Sequence, residues 1–433
     1  MNNKNNAFSN IVGFLFTAIG FAVGVGSIWR FPYLLGENGG ALFLIAYVII
    51  ILIIGIPLFT AEVSMGYKTQ RTAVLAYKTL APGKPWSITG YVHLAAAIMI
   101  ISYTLPIYAW ILGYFFKTIS GGFVGMNSTE ISDFFAAFSG NYKLIAALAA
   151  LNIGVNALII MGGVKRGIEL ITKILLPILG VILVILIIAG LRMPGAMEGV
   201  EFLLKPNPAN FTLNSLSVAL GQAFFAVGIG MLAAMVFGSY IKNDKENIGK
   251  SSVVICTALI CAGLLAGFAI FPALFASGLT PESGVGLTFI VLPNVFNFMS
   301  GGIVFGTLFY LAFYIAAITS SAGVMEAVVG MFMDQFNMSR RKALLLTIGC
   351  MVVIGGISLP TGKMFALFDL ITNNYLLTLG ALVISIFVGW IWGIDKFIEA
   401  TNVKNNFTKI WLKVSVKYIS PVVITLIFIS GLL

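Results

Sequence analysis

The chain consists of long apolar segments separated by short polar connections. An apolar helix needs about 20 residues to cross a bilayer, and eleven segments are of this length. The predicted spans are residues 11–35, 41–66, 88–118, 143–162, 167–191, 213–241, 248–276, 302–334, 342–360, 364–392 and 408–432. The pattern predicts an all-α polytopic membrane protein.

Two of these spans contain similar stretches, FAVGVG at residues 21–26 and FAVGIG at residues 225–230. Glycine weakens a helix interior and permits unusual backbone angles. Membrane helices also use glycine for close packing, but breaks at matching places in two halves are typical of a transporter binding site. The predicted organisation is one transmembrane transporter domain, residues 1–433, with repeat one at 11–191, an inverted repeat two at 213–392 and an additional helix at 408–432.

Composition and charge agree with a membrane location. Hydrophobic residues make up 59% of the chain and charged residues 9%, whereas soluble domains carry roughly a quarter charged residues. The net charge of +10 comes mainly from basic residues in the connections after even-numbered spans, which the positive-inside rule assigns to the cytoplasm. Topology therefore explains the charge, and no nucleic-acid partner is expected. We expect a multi-pass protein of the cell membrane, in the bacterial inner membrane, with a cytoplasmic N-terminus, an outer C-terminus and no cleavable signal.

Two connections on the predicted outer side, residues 192–212 and 277–300, are long enough to be structured. The second contains an apolar run at residues 287–292. We interpret it as a short helical hairpin that dips towards a vestibule, and the alternative is an ordinary exposed loop.

Ionisable residues inside predicted spans are costly and indicate function. Arg30 follows the first break on the outer side, and Asp369 lies near the outer start of the tenth span. A salt bridge between them could close an outer gate, although Arg30 could also be an interface residue that extends to the headgroups. On the inner side, Asp334 and Lys4 form a second and weaker candidate pair.

Further polar residues lie deeper in the spans. We expect Glu62 and Glu326 to accept hydrogen bonds from backbone amides that the breaks release, and we interpret His93, the single histidine, as a packing residue. The hydroxyls of residues 319–321 (TSS) either bond back to their own helix or, with freed carbonyls near residues 20–23, bind sodium. No pattern for catalysis or phosphate binding is evident.

The residues around the first break carry a specific family resemblance. The run GFAVGVGSIWRFPY at residues 20–33, followed by ENGG at 37–40 and GIP at 55–57, closely resembles the neurotransmitter:sodium symporters, above all their bacterial amino-acid transporters. The sixth and eighth helices also match, so the resemblance covers the first ten spans. It implies the leucine-transporter fold, a 5+5 inverted repeat with discontinuous helices 1 and 6.

The resemblance implies one complete sodium site, and Na+ is therefore the expected cofactor. In the family, three carbonyl oxygens and two hydroxyls bind this ion. The corresponding residues here are Gly20, Val23, Ala316, Thr319 and Ser320.

The family's other sodium site is incomplete. Its side-chain ligands fall at Ser27, Ala226 and Leu259, and the balancing chloride or carboxylate would fall at Gly263, which has no ligand atom. These departures predict one sodium per substrate and no chloride. A weak second ion held by Ser27 and carbonyl oxygens is the alternative.

The substrate site also departs from the family. The helix-three tyrosine falls at Thr104, and Gly24 stands where monoamine transporters carry an aspartate. An open glycine suits a substrate carboxylate. The predicted substrate-binding residues are Ala22, Gly24, Val25, Gly26, Ile100, Tyr103, Thr104, Phe225, Gly228, Met231 and Val324. The predicted gate residues are Arg30, Asp369, Asp334 and Lys4.

Together these features predict a sodium-coupled symporter that imports a small amino acid or a related solute by alternating access. Its expected partners are this small-molecule substrate, sodium and the lipid bilayer. A sodium-independent exchanger or facilitator on the same fold is the alternative. A sensor that binds without transport would tend to carry an added soluble domain, and an enzyme would need catalytic groups, so both are disfavoured.

Overall fold

The computed structural model describes residues 7–242, 245–280, 284, 286–359 and 362–430. These residues form a bundle of helices, which we number in chain order. The helices are α1 Ile11–Ala22, α2 Gly26–Glu37, α3 Ala41–Thr69, α4 Ala73–Leu80, α5 Ser87–Ile119, α6 Ser128–Gly140, α7 Tyr142–Met161, α8 Val164–Leu191, α9 Ala196–Leu204, α10 Leu213–Val227, α11 Ala233–Ser239, α12 Ile248–Ala276, α13 Leu287–Phe298, α14 Gly302–Phe336, α15 Arg340–Ser358, α16 Lys363–Ala400 and α17 Asn406–Ile429.

The membrane-spanning helices agree with the prediction, including the expected break within the sixth span. In the described part of the chain, nine helices are long and apolar enough to span a membrane, and α1 with α2 forms a tenth, bent span. The predicted sixth span, residues 213–241, is divided into α10 of 15 residues and α11 of 7 residues. Neither half spans alone, since a helix rises 1.5 Å per residue and the hydrocarbon core is about 30 Å thick.

The first break lies between α1 and α2, whose axes differ by 46°. The side chain of Asn10 caps the start of α1 by accepting a hydrogen bond from the N–H of Gly13. At the other end, Val23 leaves the helical conformation with φ −81° and ψ 72°. The carbonyls that end α1 and the N–H groups that begin α2 therefore lack partners within their own helices.

The second break joins α10 to α11 through residues 228–232. Gly228 and Gly230 both have a φ of 77°, and Leu232 has a φ of 72°. Glycine adopts such left-handed angles freely, whereas a leucine at this φ needs support from the surrounding structure. The repeated FAVG motif predicted the two glycines of this break, and Leu232 has no counterpart in the first stretch.

The second long outer connection contains α13. Its residues Leu287 and Phe289 are fully buried, and the ring of Phe289 stacks on Phe135 of α6 with centroids 5.6 Å apart. The alternative of an ordinary exposed loop is therefore wrong for this helix. The other arm of the expected hairpin includes residues 281–283, which lie outside the described residues.

Candidate substrate and sodium site

A cavity of about 30 Å³ lies where the two breaks approach α5 and α14. A space of this size holds roughly one or two water molecules. The lining residues are Phe21, Ala22, Gly24, Val25, Gly26, Ile100, Thr104, Tyr108, Phe225, Ala226, Met231, Ser320 and Val324. Apolar side chains thus form much of the wall, and the first break contributes polar backbone.

All the predicted substrate-binding residues line this cavity except Gly228 and Tyr103. A side chain at Gly228 would collide with the ring of Phe21, so Phe21 fills the space beside this glycine and lines the cavity itself. The hydroxyl of Tyr103 donates to Asp369 Oδ1 at 2.9 Å. Tyr103 therefore contacts the outer gate.

Tyr108 lines the cavity and was not among the predicted residues. The hydroxyl of Thr104 donates to the carbonyl of Ile100 at 2.6 Å, and its oxygen lies 3.3 Å from the hydroxyl oxygen of Tyr108. Thr104 is the donor in both contacts and Tyr108 is an acceptor, so the proton of the Tyr108 hydroxyl remains available to a ligand. The spacing of one helical turn after Thr104 is the signal that could have identified Tyr108.

The residues of the first break line the cavity at the start of α2. Val25 and Gly26 line it, and the N–H groups at the start of a helix have no intrahelical acceptor. The positive end of the α2 dipole adds an attraction for negative charge. A side chain at Gly24 would collide with Ser320, so only glycine lets this break approach α14 so closely.

The residues predicted to bind sodium lie where the end of α1 meets α14. An ideal Cβ on Gly20 would lie 3.5 Å from Cβ of Thr319. The hydroxyl of Thr319 bonds to its own helix, at 3.0 Å from the carbonyl of Ile315 and 3.2 Å from that of Ala316. A donating hydroxyl keeps its lone pairs, so this oxygen and the Ala316 carbonyl can bind one ion together. These residues fit a sodium ion, which favours such oxygen ligands.

The two outer gate residues approach each other beside the cavity. Arg30 Nη2 lies 4.0 Å from Asp369 Oδ2, and Arg30 Nη1 donates to Gln222 Oε1 at 3.0 Å. Gln222 in turn donates to the carbonyl of Gly26 at 2.8 Å. The guanidinium also lies over the ring of Phe225, 5.2 Å from its centroid. The gate therefore joins α2, α10 and α16, and Gln222 is a member that the sequence did not indicate.

On the inner side, Asp334 has partners in the connection between α3 and α4. It accepts hydrogen bonds from Arg71 Nη1 at 2.9 Å and from the backbone N–H of Thr72 at 2.8 Å. The sequence did not predict this pair. Lys4, the expected partner of Asp334, lies outside the described residues.

The start of α1 is anchored to α8. Glu169 accepts hydrogen bonds from the backbone N–H of Ser9 at 2.9 Å and from the Ser9 hydroxyl, and it pairs with Lys173 at 2.6 Å. A side chain at Gly13 would collide with this carboxylate. Any movement of α1 away from α8 must break these contacts.

The two deep carboxylates have different partners. Glu62 Oε1 accepts a hydrogen bond from the N–H of Gly230 at 3.0 Å, at the second break. Glu326 instead forms a salt bridge with Arg340 at 2.7 Å and accepts from the hydroxyl of Tyr240 at 3.0 Å. The expectation that Glu326 caps a break is wrong, because a guanidinium from the start of α15 reaches it.

The region of the incomplete sodium and anion sites is occupied by aromatic rings. An ideal Cβ on Gly263 would lie 3.3 Å from the ring of Phe31, which packs on Tyr47 with centroids 4.8 Å apart. The hydroxyl of Ser27 lies 3.4 Å from the carbonyl of Ala22. The Ser27 hydroxyl and the Ala22 carbonyl each bring an oxygen atom to this place.

Comparison with known proteins gives concordant results. The model of the sodium:neurotransmitter symporter family matches residues 5–127 and 138–433. The sodium-dependent transporter YhdH of Bacillus subtilis is 36% identical over 389 residues, which cover 87% of this chain and 86% of that protein. A sodium-dependent transporter of Haemophilus influenzae is 32% identical over 455 residues, covering 100% and 99% of the two chains.

Among solved structures, that of MhsT in complex with L-phenylalanine has a TM-score of 0.90 and 35% identity to this chain. The match covers 98% of this chain and 99% of MhsT. With the two broken spans and the apolar helices, these similarities establish the fold and exclude an enzyme. The chain belongs to the sodium:neurotransmitter symporter family and is a sodium-dependent membrane transporter of that family.

Proposed function

We propose that this transporter is a symporter that imports a small amino acid, or an amino-acid-like solute, together with sodium by alternating access. The observation that carries the proposal is the position of Ser320. It belongs to the proposed sodium ligands, and it also lines the cavity opposite Gly24. A bound ion and a bound substrate would share this wall, so each can favour the conformation that binds the other.

The substrate's carboxylate is held by the backbone amides of Val25 and Gly26, and the Tyr108 hydroxyl donates a further hydrogen bond. The side chain of the substrate packs on Ile100 and Met231. In this conformation the cavity of about 30 Å³ holds only about one or two water molecules, so it must widen to admit an amino acid. The binding of L-phenylalanine by MhsT supports an amino acid as the substrate class.

Closed contacts on both sides of the cavity support alternating access. Arg30 and Asp369 lie together at the outer gate, while Asp334 with Arg71 closes the inner side. Release towards either side requires that only one of these sets opens. By the positive-inside rule, the basic connections support an inner set that faces the cytoplasm together with the N-terminus. The proposed location is a bacterial inner membrane.

Uptake into proteoliposomes tests the proposal. Radiolabelled alanine, leucine or phenylalanine should accumulate at least about tenfold more with an inward sodium gradient than with potassium alone. Equal accumulation with and without sodium, together with exchange of internal amino acid, would support the sodium-independent exchanger. Failure to take up any amino acid would reject the substrate class.

A further inference from the structure

The backbone N–H and carbonyl of Gly230, in the second break, both contact side chains of other helices. Its N–H donates to Glu62 Oε1 of α3 at 3.0 Å, and its carbonyl lies 3.0 Å from His93 Nδ1 of α5. With a φ of 77°, Gly230 is not helical, so partners outside its own helix must satisfy these groups. Two different helices supply them.

The hydrogen bonds define which nitrogen of the neutral His93 ring carries the proton. A carbonyl oxygen is only an acceptor, so Nδ1 must carry a proton. His93 Nε2 lies 3.0 Å from the hydroxyl of Tyr77. In the neutral ring Nε2 is then the acceptor, and Tyr77 donates to it. The phenol of Tyr77 thereby selects the tautomer that the Gly230 carbonyl requires.

Close packing holds the rings of His93 and Tyr77 in place. His93 and Tyr77 are both fully buried, and their rings stack with centroids 5.9 Å apart. On its other side, His93 lies against Gly380 of α16, where an added Cβ would be 3.2 Å from the imidazole. Tyr77 belongs to α4, the helix that begins next to the Arg71 and Thr72 contacts with Asp334.

We propose that His93 is a positioning residue for transport. It holds the Gly230 carbonyl so that residues 228–232 keep their non-helical conformation, and Tyr77 links this conformation to α4 and the inner gate. Met231, the next residue, lines the cavity, so a shift of the Gly230 peptide moves the substrate's wall. The effect on uptake rests on the proposed function, whereas the effect on the backbone does not.

Paired substitutions of His93 separate hydrogen bonding from packing. In His93→Asn, the side-chain NH₂ takes nearly the place of Nδ1–H and can still donate to Gly230. In His93→Leu, a side chain of similar size has no donor, and the buried carbonyl loses its partner. We expect His93→Leu to raise the KM of sodium-driven uptake about tenfold or more, and His93→Asn to restore KM to within about threefold of the original protein. Equal KM values in the two variants would overturn the positioning role.

Hydrogen–deuterium exchange provides a readout that needs no transport. Purified His93→Leu should exchange the amides of residues 228–232 at least about tenfold faster than His93→Asn, with the rest of α5 unchanged. The same rate in both variants would overturn the proposal, even if neither variant transports. Absence of uptake by the unmodified protein would instead reject the proposed function and leave this comparison valid.

Tyr77→Phe tests the link to α4 and preserves the volume of the ring. Loss of the Tyr77 hydroxyl allows the other tautomer of the His93 imidazole. Amide exchange at residues 228–232 should therefore rise, although by less than in His93→Leu. Tyr91→Phe, in an exposed part of α5, is the matched control. Exchange in Tyr77→Phe that equals that of the control would overturn the link to α4.

Discussion

The hydroxyl of Tyr108 lies one helical turn beyond the position where the family's tyrosine was expected. Because Thr104 gives its proton to the carbonyl of Ile100, Tyr108 is the side chain of this pair that can donate to a carboxylate. A hydrogen bond to a charged group contributes roughly 1.5–3 kcal/mol. We therefore expect Tyr108→Phe to raise the Kd for the amino acid about tenfold or more, measured by equilibrium binding.

A tyrosine far from the cavity gives the matched control. Tyr418 of α17 is about half exposed, and Tyr418→Phe removes the same atom. An equal Kd in Tyr108→Phe and Tyr418→Phe would show that the Tyr108 hydroxyl does not contact the substrate.

At the proposed sodium site, hydroxyls supply the side-chain oxygens among the five expected ligands. The double variant Thr319→Ala/Ser320→Ala leaves only carbonyls, so sodium-stimulated uptake should fall to the level measured without sodium. The control is Ser321→Ala, because Ser321 donates to Asn156 of α7 at 3.0 Å. Uptake by the double variant that still rises with sodium as in the control would reject this site.

Among the helices, the two breaks were predictable and their supporting contacts were not. Glycines within apolar runs mark the breaks directly, since few other residues adopt a φ of 77°, as Gly228 and Gly230 do. Leu232 also has a φ in this region. The sequence did not predict this, because the surrounding helices impose the conformation of Leu232. His93 was interpreted as packing for the same reason, since a sequence shows a buried histidine without showing the carbonyl that it contacts.

The outer gate links helices that are far apart in sequence. Asp369 of α16 accepts hydrogen bonds from Tyr103 at 2.9 Å and from Asn373 at 2.6 Å, and it lies 4.0 Å from Arg30. Asp369→Asn keeps acceptor atoms but removes the charge that attracts Arg30. A partly shielded charge pair is worth more than an exposed one, which contributes about 0–1 kcal/mol. We expect the variant to lower the initial rate of sodium-driven uptake about tenfold.

An exposed loop-side carboxylate supplies the comparison for the gate. Asp133 of α6 is exposed, and Asp133→Asn changes the net charge of the protein by the same amount. If both variants retained the same rate of uptake, the pair of Arg30 and Asp369 would not act as a gate.

For the whole molecule, the sequence predicted the class of fold and the location of the cavity better than the closing contacts. The length of the apolar segments indicates the membrane spans, and the FAVG repeats indicate which spans are broken. The partners of a charge depend on which helix faces meet, and periodicity does not contain this information. Arg71 with Asp334 and Arg340 with Glu326 were therefore missed. The pair of Arg30 and Asp369 came from the family resemblance as well as from position.

Charge balance over the whole transport cycle is the property in which we expect this chain to differ from the family it resembles. Ala226 and Leu259 offer no side-chain oxygen, and the space beside Gly263 is filled by the ring of Phe31. An uncompensated charge among these apolar groups is costly. A chain that lacks the second cation site is therefore expected to lack its balancing anion as well. In the proposed transporter, the α2 dipole and the amides of Val25 and Gly26 would hold the carboxylate.

We therefore predict that a zwitterionic amino acid enters with one sodium ion, one net charge and no chloride. Reversal potentials in proteoliposomes measure this ratio: the voltage that stops net flux depends on how many charges accompany each substrate. With one ion, a tenfold sodium gradient and equal substrate concentrations on both sides should be balanced at about 59 mV, as expected for a single charge.

Two ions would give the same voltage from the sodium gradient alone, so the substrate gradient must also be varied. A tenfold substrate gradient should shift the reversal potential by another 59 mV with one charge per cycle, but by only half as much with two. The smaller shift, or uptake that requires chloride, would overturn the prediction of one sodium ion without chloride.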